Sequence, residues 1–216
     1  MDQHNFVTLT REGYDRTAVA YAERFHHHLD DKPVDLAMVA AFAGLIRKGA
    51  NKRVVDVGCG TGVTTALLGS SGVEAFGIDL SASMVAQARR LNPGLKFSVG
   101  SMMNLDVADG SLGGVCAWYS IIHVPDEHLA GVLSEFYRVL HDDGLVLLAF
   151  QVGDEPRMLT SAFSYEVRLT FIRRQPRHVE EHLACAGFRV CAQLVRQPDD
   201  DGFESTSQAY LIARKV

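Results

Sequence analysis

The chain has 216 residues, 47% of them hydrophobic and 22% charged, which is the length and balance of one globular domain with a large core. Its formal net charge of −5 lacks the basic excess typical of nucleic-acid-binding proteins, so we expect no nucleic acid partner. No apolar run reaches the length of about 18 residues that crosses a bilayer, and no basic and apolar leader begins the chain. The four cysteines form no C-x-x-C pair and are expected as free thiols. We therefore expect a cytoplasmic protein with no membrane partner.

Helical and extended patterns alternate along the chain. Helices are predicted at residues 8–28, 33–47, 62–71, 82–91, 125–140 and 176–186. Strands are predicted at residues 53–57, 74–78, 95–99, 114–119, 145–150, 164–172, 188–196 and 205–213. Residues 152–163 are expected to form a loop or a short helix. Pro33 suits the first turn of its helix, and Ser81 suits the N-cap of the helix that follows it.

This element order predicts an α/β fold. Strands that alternate with helices imply a parallel sheet covered on both faces. A short turn at residues 198–202 joins the last two predicted strands, which implies an antiparallel hairpin at the edge of the sheet. We expect residues 1–216 to form a single domain, in which residues 1–48 are a helical cap and residues 153–175 are an insertion on the substrate side.

The most informative segment is a glycine-rich turn after the first predicted strand. The strand ends in Asp56, and Gly58, Gly60 and Gly62 follow at alternate positions. Glycines let a ligand lie against the backbone because they carry no Cβ, and open α/β sheets bind ligands at the carboxyl ends of their strands. The dinucleotide fingerprint G-x-G-x-x-G would need a third glycine where Val63 stands. A chance turn that binds nothing is the alternative.

The spacing Asp56-x-Gly58-x-Gly60-x-Gly62 resembles motif I of the class I S-adenosylmethionine (SAM) methyltransferases. The resemblance implies a Rossmann-like three-layer sandwich whose seven-stranded, mostly parallel sheet has the order 3-2-1-4-5-7-6 and an antiparallel edge strand. It also implies SAM as the cofactor. In this family the turn, which here includes Cys59, cradles the methionine part of SAM, and the acid helps to hold its positive charge.

A second acid, Asp79, ends the second predicted strand. Such a carboxylate can accept hydrogen bonds from both ribose hydroxyls of a bound nucleoside. NAD enzymes share this requirement, and an acid near a helix N-terminus also stabilises the helix without any ligand. In the methyltransferases that the chain resembles, Leu80 belongs to the same cofactor segment and Met84 packs against adenine. Met84 is equally suited to a place in the hydrophobic core.

The loop after the third predicted strand is expected to bind adenine. In the family, a polar side chain of this loop binds the adenine amino group, and the next backbone N–H reaches a ring nitrogen. Ser101 stands where Asp, Asn or Glu is more common, which leaves recognition by the side chain open. Met102 is the other candidate, through its backbone N–H and its thioether.

The segment after the fourth predicted strand is expected to face the reacting atoms. Trp118 and Ser120 are candidates for contact with the cofactor, and Tyr119 for contact with the acceptor. His123 is the candidate catalytic residue, because a histidine with a pKa near neutrality can remove a proton from the acceptor. The alternatives are a core aromatic at Trp118 and, at His123, a residue that orients the loop or caps the next helix.

Two tyrosines on the first predicted helix, Tyr14 and Tyr21, lie seven residues apart and hence on one helical face. This pattern is similar to a helix that many small-molecule methyltransferases fold over the cofactor. Their hydroxyls are expected to reach the SAM carboxylate while their rings close the pocket. The alternative is a hydrophobic face that packs on the sheet.

The acceptor is expected to be a small molecule. Sequence blocks typical of enzymes that methylate nucleic acids and some proteins are absent after the fourth predicted strand. The insertion at residues 153–175 is expected to line the acceptor pocket. Its candidate contact residues are Met158, Phe163, Tyr165, Arg168 and Phe171. Their mixture indicates a partly apolar acceptor with a polar or anionic group.

The resemblance therefore predicts an enzyme, active as a monomer or homodimer, that moves a methyl group from SAM to an O or N atom of a small metabolite in specialised metabolism. An NAD(P)-dependent oxidoreductase and a SAM-binding protein without catalytic activity are the alternatives.

No metal is expected. The consecutive residues His26, His27 and His28 would point about 100° apart on a helix, so they suit a solvated surface better than one ion. A basic region after the fifth predicted strand could bind an anionic acceptor but is likewise expected on a solvated face: Arg168, Arg173, Arg174 and Arg177.

Overall fold

The computed structural model describes residues 3–200 and 202–216 of the chain. The helices are α1 (Gln3–Phe25), α2 (Pro33–Lys48), α3 (Val63–Ser70), α4 (Ala82–Leu91), α5 (Asp126–Val139) and α6 (Pro176–Cys185). The strands are β1 (Arg53–Val57), β2 (Glu74–Asp79), β3 (Lys96–Val99), β4 (Leu112–Trp118), β5 (Leu140–Gln151), β6 (Arg157–Ala162), β7 (Tyr165–Phe171), β8 (Phe188–Arg196) and β9 (Gln208–Lys215). A short 3₁₀ helix, Ile121–His123, lies between β4 and α5. Within these described ranges, no helix has both the length and the apolar composition that crossing a bilayer requires.

Seven of these strands form one sheet in the order β3-β2-β1-β4-β5-β9-β8. The strand β1 pairs in parallel with β2 and β4, and parallel pairing continues to β3 on one side and β5 on the other. The strand β9 runs antiparallel to both β5 and β8. With β8 and β9 counted as strands six and seven, this is the predicted order 3-2-1-4-5-7-6. The predicted α/β fold is therefore confirmed.

Helices cover both faces of the sheet. On one face, α5 and α6 contribute Phe136 and Leu183 to a buried cluster. On the other face, α2 and α3 contribute Phe42 and Leu68 to a second cluster. The strand β4 lies between these layers and is buried along its whole length. Since a fully buried Leu or Phe side chain stabilises a fold by roughly 1.5–3 kcal/mol, these two clusters fix the sheet and with it the ends of its strands.

The fifth strand begins earlier than the sequence predicts. Residues 141–144, which lie between the predicted helix at 125–140 and the predicted strand at 145–150, belong to β5, which starts directly at the end of α5. Asp143 has a left-handed φ of 63°, and the pairing of β4 with β5 shifts register between Leu112 and Gly114. The strand tolerates its two adjacent acids because both side chains are exposed at this end.

A hairpin replaces part of the predicted loop at residues 152–163. The strands β6 and β7 pair with each other in a separate antiparallel sheet. The predicted strand at 164–172 corresponds to β7, whereas β6 was not predicted. Most side chains of β6 are exposed, so its sequence lacks an apolar face, and the pairing with β7 specifies it. The first helix also differs: α1 begins at Gln3 and ends at Phe25, and residues 26–31 form turns.

Two glycines allow close packing against β4. A Cβ added at Gly113 would lie 1.9 Å from the carbonyl oxygen of Asn51, and one at Gly114 would lie 2.8 Å from both Phe42 and Ile46. The segment that links α2 to β1 therefore passes directly over the start of β4. Only a residue without a side chain fits at Gly113, because the obstacle there is backbone.

We expect Gly113→Ala to lower the free energy of unfolding by about 1–3 kcal/mol, because the chain near Asn51 must move to admit the methyl group. The matched control is Gly131→Ala in α5, where an added Cβ meets no atom within 4 Å and helix propensity favours alanine by about 1 kcal/mol. Urea unfolding of both variants measures the difference. Equal stability of Gly113→Ala and the unmodified protein would contradict this account of the packing.

Candidate active site

A cavity lies between α1 and the carboxyl ends of β1, β2 and β4. Together with its open mouth it contains about 1140 Å³ of space that protein atoms do not fill. Its walls bring together most of the residues predicted for the cofactor: Tyr14, Tyr21, Asp56, Gly58, Cys59, Gly60, Asp79, Leu80, Met84, Ser101, Met102, Trp118 and Ser120. Tyr119 and His123 line the same cavity. Residues far apart in sequence therefore meet at one place because the strand ends are adjacent.

The glycine turn forms the floor of the cavity. Gly58 and Gly60 have left-handed φ values of 70° and 53°, which glycine adopts without steric cost. A Cβ at Gly58 would lie 2.3 Å from Cβ of Ser120, whereas one at Gly60 would meet nothing within 4 Å. Gly60 therefore borders open space, where a ligand can approach the backbone.

Gly62 does not line the cavity. It has a φ of 84° and precedes α3 as its N-cap. An added Cβ would lie 2.8 Å from side-chain atoms of both Asn92 and Phe97. The structure thus gives this predicted cofactor residue a packing role between the turn and the neighbouring α4 and β3.

Asp79 joins the turn to the next strand. Its Oδ2 accepts a hydrogen bond of 2.7 Å from the Gly60 N–H, and its Oδ1 accepts one of 2.8 Å from the Ser81 N–H. Burial raises the pKa of Asp79 to about 6, against the lowering effect of these two hydrogen bonds. Each oxygen retains a second lone pair, so the carboxylate can still accept hydrogen bonds from a ligand.

Asp56 lies deeper, one residue before the end of β1. Its Oδ2 accepts a hydrogen bond of 2.7 Å from the Thr65 hydroxyl. Burial raises the pKa of Asp56 to about 7. In the part of the chain that the structure describes, three buried polar atoms of cavity residues have no hydrogen-bond partner: Oδ1 of Asp56, Nε1 of Trp118 and Oγ of Ser120. Unpartnered buried groups are costly, so this wall suits a polar ligand that supplies both a donor and an acceptor.

The loop after β3 contributes Ser101 and Met102 to the opposite wall. The hydroxyl of Ser101 accepts a hydrogen bond of 3.2 Å from the Met103 N–H, so it already stabilises its own loop. Met84 is almost completely buried and touches the cavity from within the core. The Met84 N–H donates to the Ser81 hydroxyl at 3.0 Å, which confirms Ser81 as the N-cap of α4.

The hydrogen-bond partners of His123 fix its tautomer. Its Nδ1 lies 2.9 Å from the carbonyl oxygen of Thr170, which only accepts, so Nδ1 carries the hydrogen. Its Nε2 lies 2.8 Å from the hydroxyl of Tyr14 and accepts from it. Burial lowers the pKa of His123 to about 4. The expected pKa near neutrality was therefore wrong, because the ring is enclosed between Tyr14 and Phe171.

Arg174 holds the segment that carries His123. It is only 2% exposed, although the sequence analysis placed it on a solvated face. Its guanidinium donates to the carbonyl oxygens of Ile121 and Val124, and to Oδ1 of Asp126 at 2.8 Å. The carbonyls at both ends of the 3₁₀ helix thus share one donor group. No local pattern reveals this role, since it depends on contact between distant segments.

The helix α1 closes the cavity from above. Asp15 accepts hydrogen bonds from the Ser81 hydroxyl at 2.6 Å and from the Ser83 N–H at 3.1 Å. On the other side, Arg16 donates to the carbonyl oxygen of Glu166 at 3.2 Å. These contacts fasten the helix to α4 and to β7. Asp15 was not among the predicted site residues. The only feature of the sequence that points to it is its position between Tyr14 and Tyr21, the two tyrosines predicted to face the cofactor.

The predicted acceptor residues of the insertion lie outside the cavity. Met158 is 75% exposed, and Tyr165, Arg168 and Phe163 are also exposed. The Phe163 ring contacts Tyr21 and Phe25, at centroid distances of 6.4 and 6.2 Å. The hairpin therefore covers α1 and stands one layer away from the ligand space. Residues that the sequence analysis did not propose line that space instead: Phe6, Val7, Thr10, Arg11, Phe25 and His28.

The histidine cluster does not form a metal site. His27 faces Asp30, with 3.0 Å between Nδ1 and Oδ2, while His28 lines the cavity. Among the described residues, no three His, Cys, Asp or Glu side chains are grouped so as to hold a metal ion.

A family model described as a methyltransferase domain matches residues 54–144, the segment from the glycine turn to β5. The match covers less than half of the chain and concerns a methyltransferase domain, the kind of domain whose motif I the glycine turn resembles. SAM is the cofactor of such domains, and the unpartnered polar atoms around the glycine turn fit its charged methionine part.

Curated relatives agree with this assignment. The methyltransferase domain is similar to demethylmenaquinone methyltransferase of Beutenbergia cavernae, with 37% identity over 45% of this chain and 40% of that protein. A malonyl-[acyl-carrier protein] O-methyltransferase of Hamiltonella defensa is 27% identical over 87% of this chain and 74% of its own length. The chain spans less than half the length of the first curated relatives that it matches.

Solved structures share the whole fold. A magnesium protoporphyrin IX methyltransferase from Synechocystis, solved with bound SAM, superposes with a TM-score of 0.72 at 17% identity and covers 98% of this chain and 97% of its own. A 1,6-didemethyltoxoflavin-N1-methyltransferase of Burkholderia thailandensis gives 0.69 at 17% identity and covers 100% and 91%. At this identity the likeness concerns the fold alone.

We expect Asp56→Asn to stabilise the ligand-free protein at pH 8. The pKa of about 7 lies above the ordinary value, so the ionised form present at pH 8 costs folding free energy, by up to about 4 kcal/mol. The gain should shrink as pH falls from 7 towards 4, where the folded protein binds the proton itself. Urea unfolding at pH 8 and pH 5 measures both values. Asp30→Asn, at an exposed carboxylate, is the control, and a loss of stability in Asp56→Asn at pH 8 would refute the assignment.

Proposed function

We propose that the protein transfers the methyl group of SAM to an oxygen or nitrogen atom of a small-molecule acceptor in specialised metabolism. One observation carries the proposal: the cavity that contains the glycine turn and its two acids also contains a neutral histidine whose lone pair meets a tyrosine hydroxyl. Methyl transfer to an oxygen or nitrogen that carries a proton uses both parts, a place for the donor and a group that can accept the proton.

Asp79 and Asp56 are proposed to bind the cofactor. The Asp79 carboxylate would accept hydrogen bonds from the ribose hydroxyls, while Ser101 and Met102 border the adenine. Asp56 Oδ1, which has no partner among the described residues, would accept from the amino group of the methionine part. The bound cofactor supplies a methyl group on a positively charged sulfur. Two buried acids complement that positive charge because their own ionisation is costly without it.

Tyr14 and His123 are proposed to receive the proton of the acceptor. The Tyr14 oxygen would take that proton as its own hydrogen moves to Nε2 of His123, the atom 2.8 Å away. A pKa of about 4 makes His123 a weak base. A weak base is sufficient here because an oxygen or nitrogen that gains a methyl group becomes positively charged and loses its proton readily. The Thr170 carbonyl keeps the ring oriented throughout.

The acceptor is proposed to bind along the first half of α1. Phe6, Val7 and Thr10 line this end of the cavity with Arg11. Arg11 is exposed and lies three residues before Tyr14, hence on the same helical face. This guanidinium replaces Arg168 as the group proposed to bind an anionic part of the acceptor. Within this proposal residues 1–48 act as a cap and residues 153–175 support it from outside, in one domain.

The test is turnover with matched acceptors. Hydroxy- and amino-aromatic acids and their uncharged amides are incubated with SAM, and release of S-adenosylhomocysteine is measured. We expect turnover with the acids, and His123→Gln should lower kcat by about a hundredfold or more with unchanged affinity for S-adenosylhomocysteine. His27→Gln, at an exposed histidine that pairs with Asp30, is the control.

Three results would overturn parts of this proposal. Full turnover of His123→Gln at every pH would remove the histidine from the reaction. Binding of S-adenosylhomocysteine without turnover of any acceptor would favour a non-catalytic SAM-binding protein. Binding of NADH in its place would favour the oxidoreductase.

A further inference from the structure

The far end of the cavity is built from the end of α1 and the end of β4. Tyr21, Phe25 and His28, from the end of α1 and the turn after it, line the cavity, and so does Trp118. The Trp118 ring stacks on Tyr210 at a centroid distance of 5.3 Å, so its orientation is fixed. Its Nε1 donor is buried and has no partner in the described part of the chain. An aromatic wall with one unpaired donor suits an anionic group at the end of a ligand.

His28 can supply a second donor at this end. Its Nδ1 lies 2.7 Å from the carbonyl oxygen of Phe25, which accepts, so Nδ1 carries a hydrogen in either charge state. The ring nitrogen left for a ligand is Nε2. This atom is an acceptor when the ring is neutral and a donor when the ring is protonated. Only the protonated ring can therefore bind an anion through Nε2.

Burial disfavours the protonated form of the His28 ring without a ligand. Burial lowers the pKa of His28, and Lys32 lowers it further, while the Phe25 carbonyl, Asp35 and Asp30 act in the opposite direction. Lys32 and Asp35 are balanced by other groups. Lys32 forms ion pairs with Asp199 and Glu204, and Arg196 binds both Asp35 and Glu204. An additional anion that stabilises the protonated ring of His28 would then have to bind in the cavity.

Resting on the proposed function, we propose that His28 takes up a proton when the methionine carboxylate of the cofactor binds, so that His28 and the Trp118 N–H hold that carboxylate together. Tyr21 lines the same end, and its pKa of about 12 means that its hydroxyl stays protonated. The consequence is a cofactor affinity coupled to pH through a residue outside the glycine turn. Affinity for a ligand with the carboxylate should gain from His28 as pH falls, because the complex binds one more proton than the free protein.

The two acids of the site affect binding with the opposite sign. Asp56 and Asp79 would bind the amine and the ribose as carboxylates, so protonation of either weakens binding. A simple pH profile therefore mixes three groups. A ligand pair that differs only in the carboxylate separates them.

The experiment compares S-adenosylhomocysteine with its decarboxylated analogue, 5′-deoxy-5′-(3-aminopropylthio)adenosine, by isothermal titration calorimetry at pH 6 and pH 8.5. In His28→Gln we expect Kd for S-adenosylhomocysteine to rise about tenfold at pH 6 and to change little at pH 8.5, with Kd for the analogue unchanged at both. In buffers of different ionisation enthalpy, His28→Gln should take up fewer protons per ligand bound at pH 6. Trp118→Phe should raise Kd for S-adenosylhomocysteine at both pH values and leave Kd for the analogue unchanged. His27→Gln is the matched control.

The outcomes distinguish this inference from the proposed function. If both ligands bind and His28→Gln leaves Kd for S-adenosylhomocysteine unchanged at pH 6, or weakens the analogue equally, the role of His28 is refuted while the cofactor site stands. If neither ligand binds to the unmodified protein, both proposals fail together.

Discussion

The hydrogen bonds to the Asp79 carboxylate are the constraint on which the rest of the site depends. This one side chain accepts hydrogen bonds from the Gly60 N–H of the turn and the Ser81 N–H at the start of α4. The Ser81 hydroxyl in turn donates to Asp15 of α1. The glycine turn, the start of α4 and the helix α1 are thus linked through a single acid at the end of β2. Its position follows from the parallel pairing of β1 with β2, which places the two strand ends side by side.

The site stores unfavourable electrostatics that a charged ligand can relieve. Burial raises the pKa of both Asp56 and Asp79, while it lowers the pKa of His123. Each group is held by neighbours that fix its orientation, so little reorganisation is needed when a ligand arrives. The buried ionisable groups lower the stability of the ligand-free protein. The two hydrophobic clusters on either side of the sheet offset this cost. A cavity that costs free energy in this way is typical of a binding site.

The sequence predicts the local elements well and the long-range ones poorly. The bounds of β1 and α4 are the predicted ones, because an apolar run and an N-cap at Ser81 are local signals. The early start of β5 and the whole of β6 were missed, since pairing with β4 and β7 specifies them rather than an apolar pattern of their own. Cofactor candidates at strand ends follow from the motif. By contrast, the contributions of Arg11, His28 and Arg174 arise where α1 and the segment after β7 fold over the sheet, and no spacing in the sequence encodes that contact.

The most direct test of the central claim is a crystal structure of the protein with S-adenosylhomocysteine bound. The account predicts that the ligand lies beneath α1, with its ribose hydroxyls within hydrogen-bond distance of Asp79 and its amino group beside Asp56. The sulfur should then face the space next to Tyr14 and His123. A ligand bound outside this cavity, or bound within it with the ribose away from Asp79, would contradict the account.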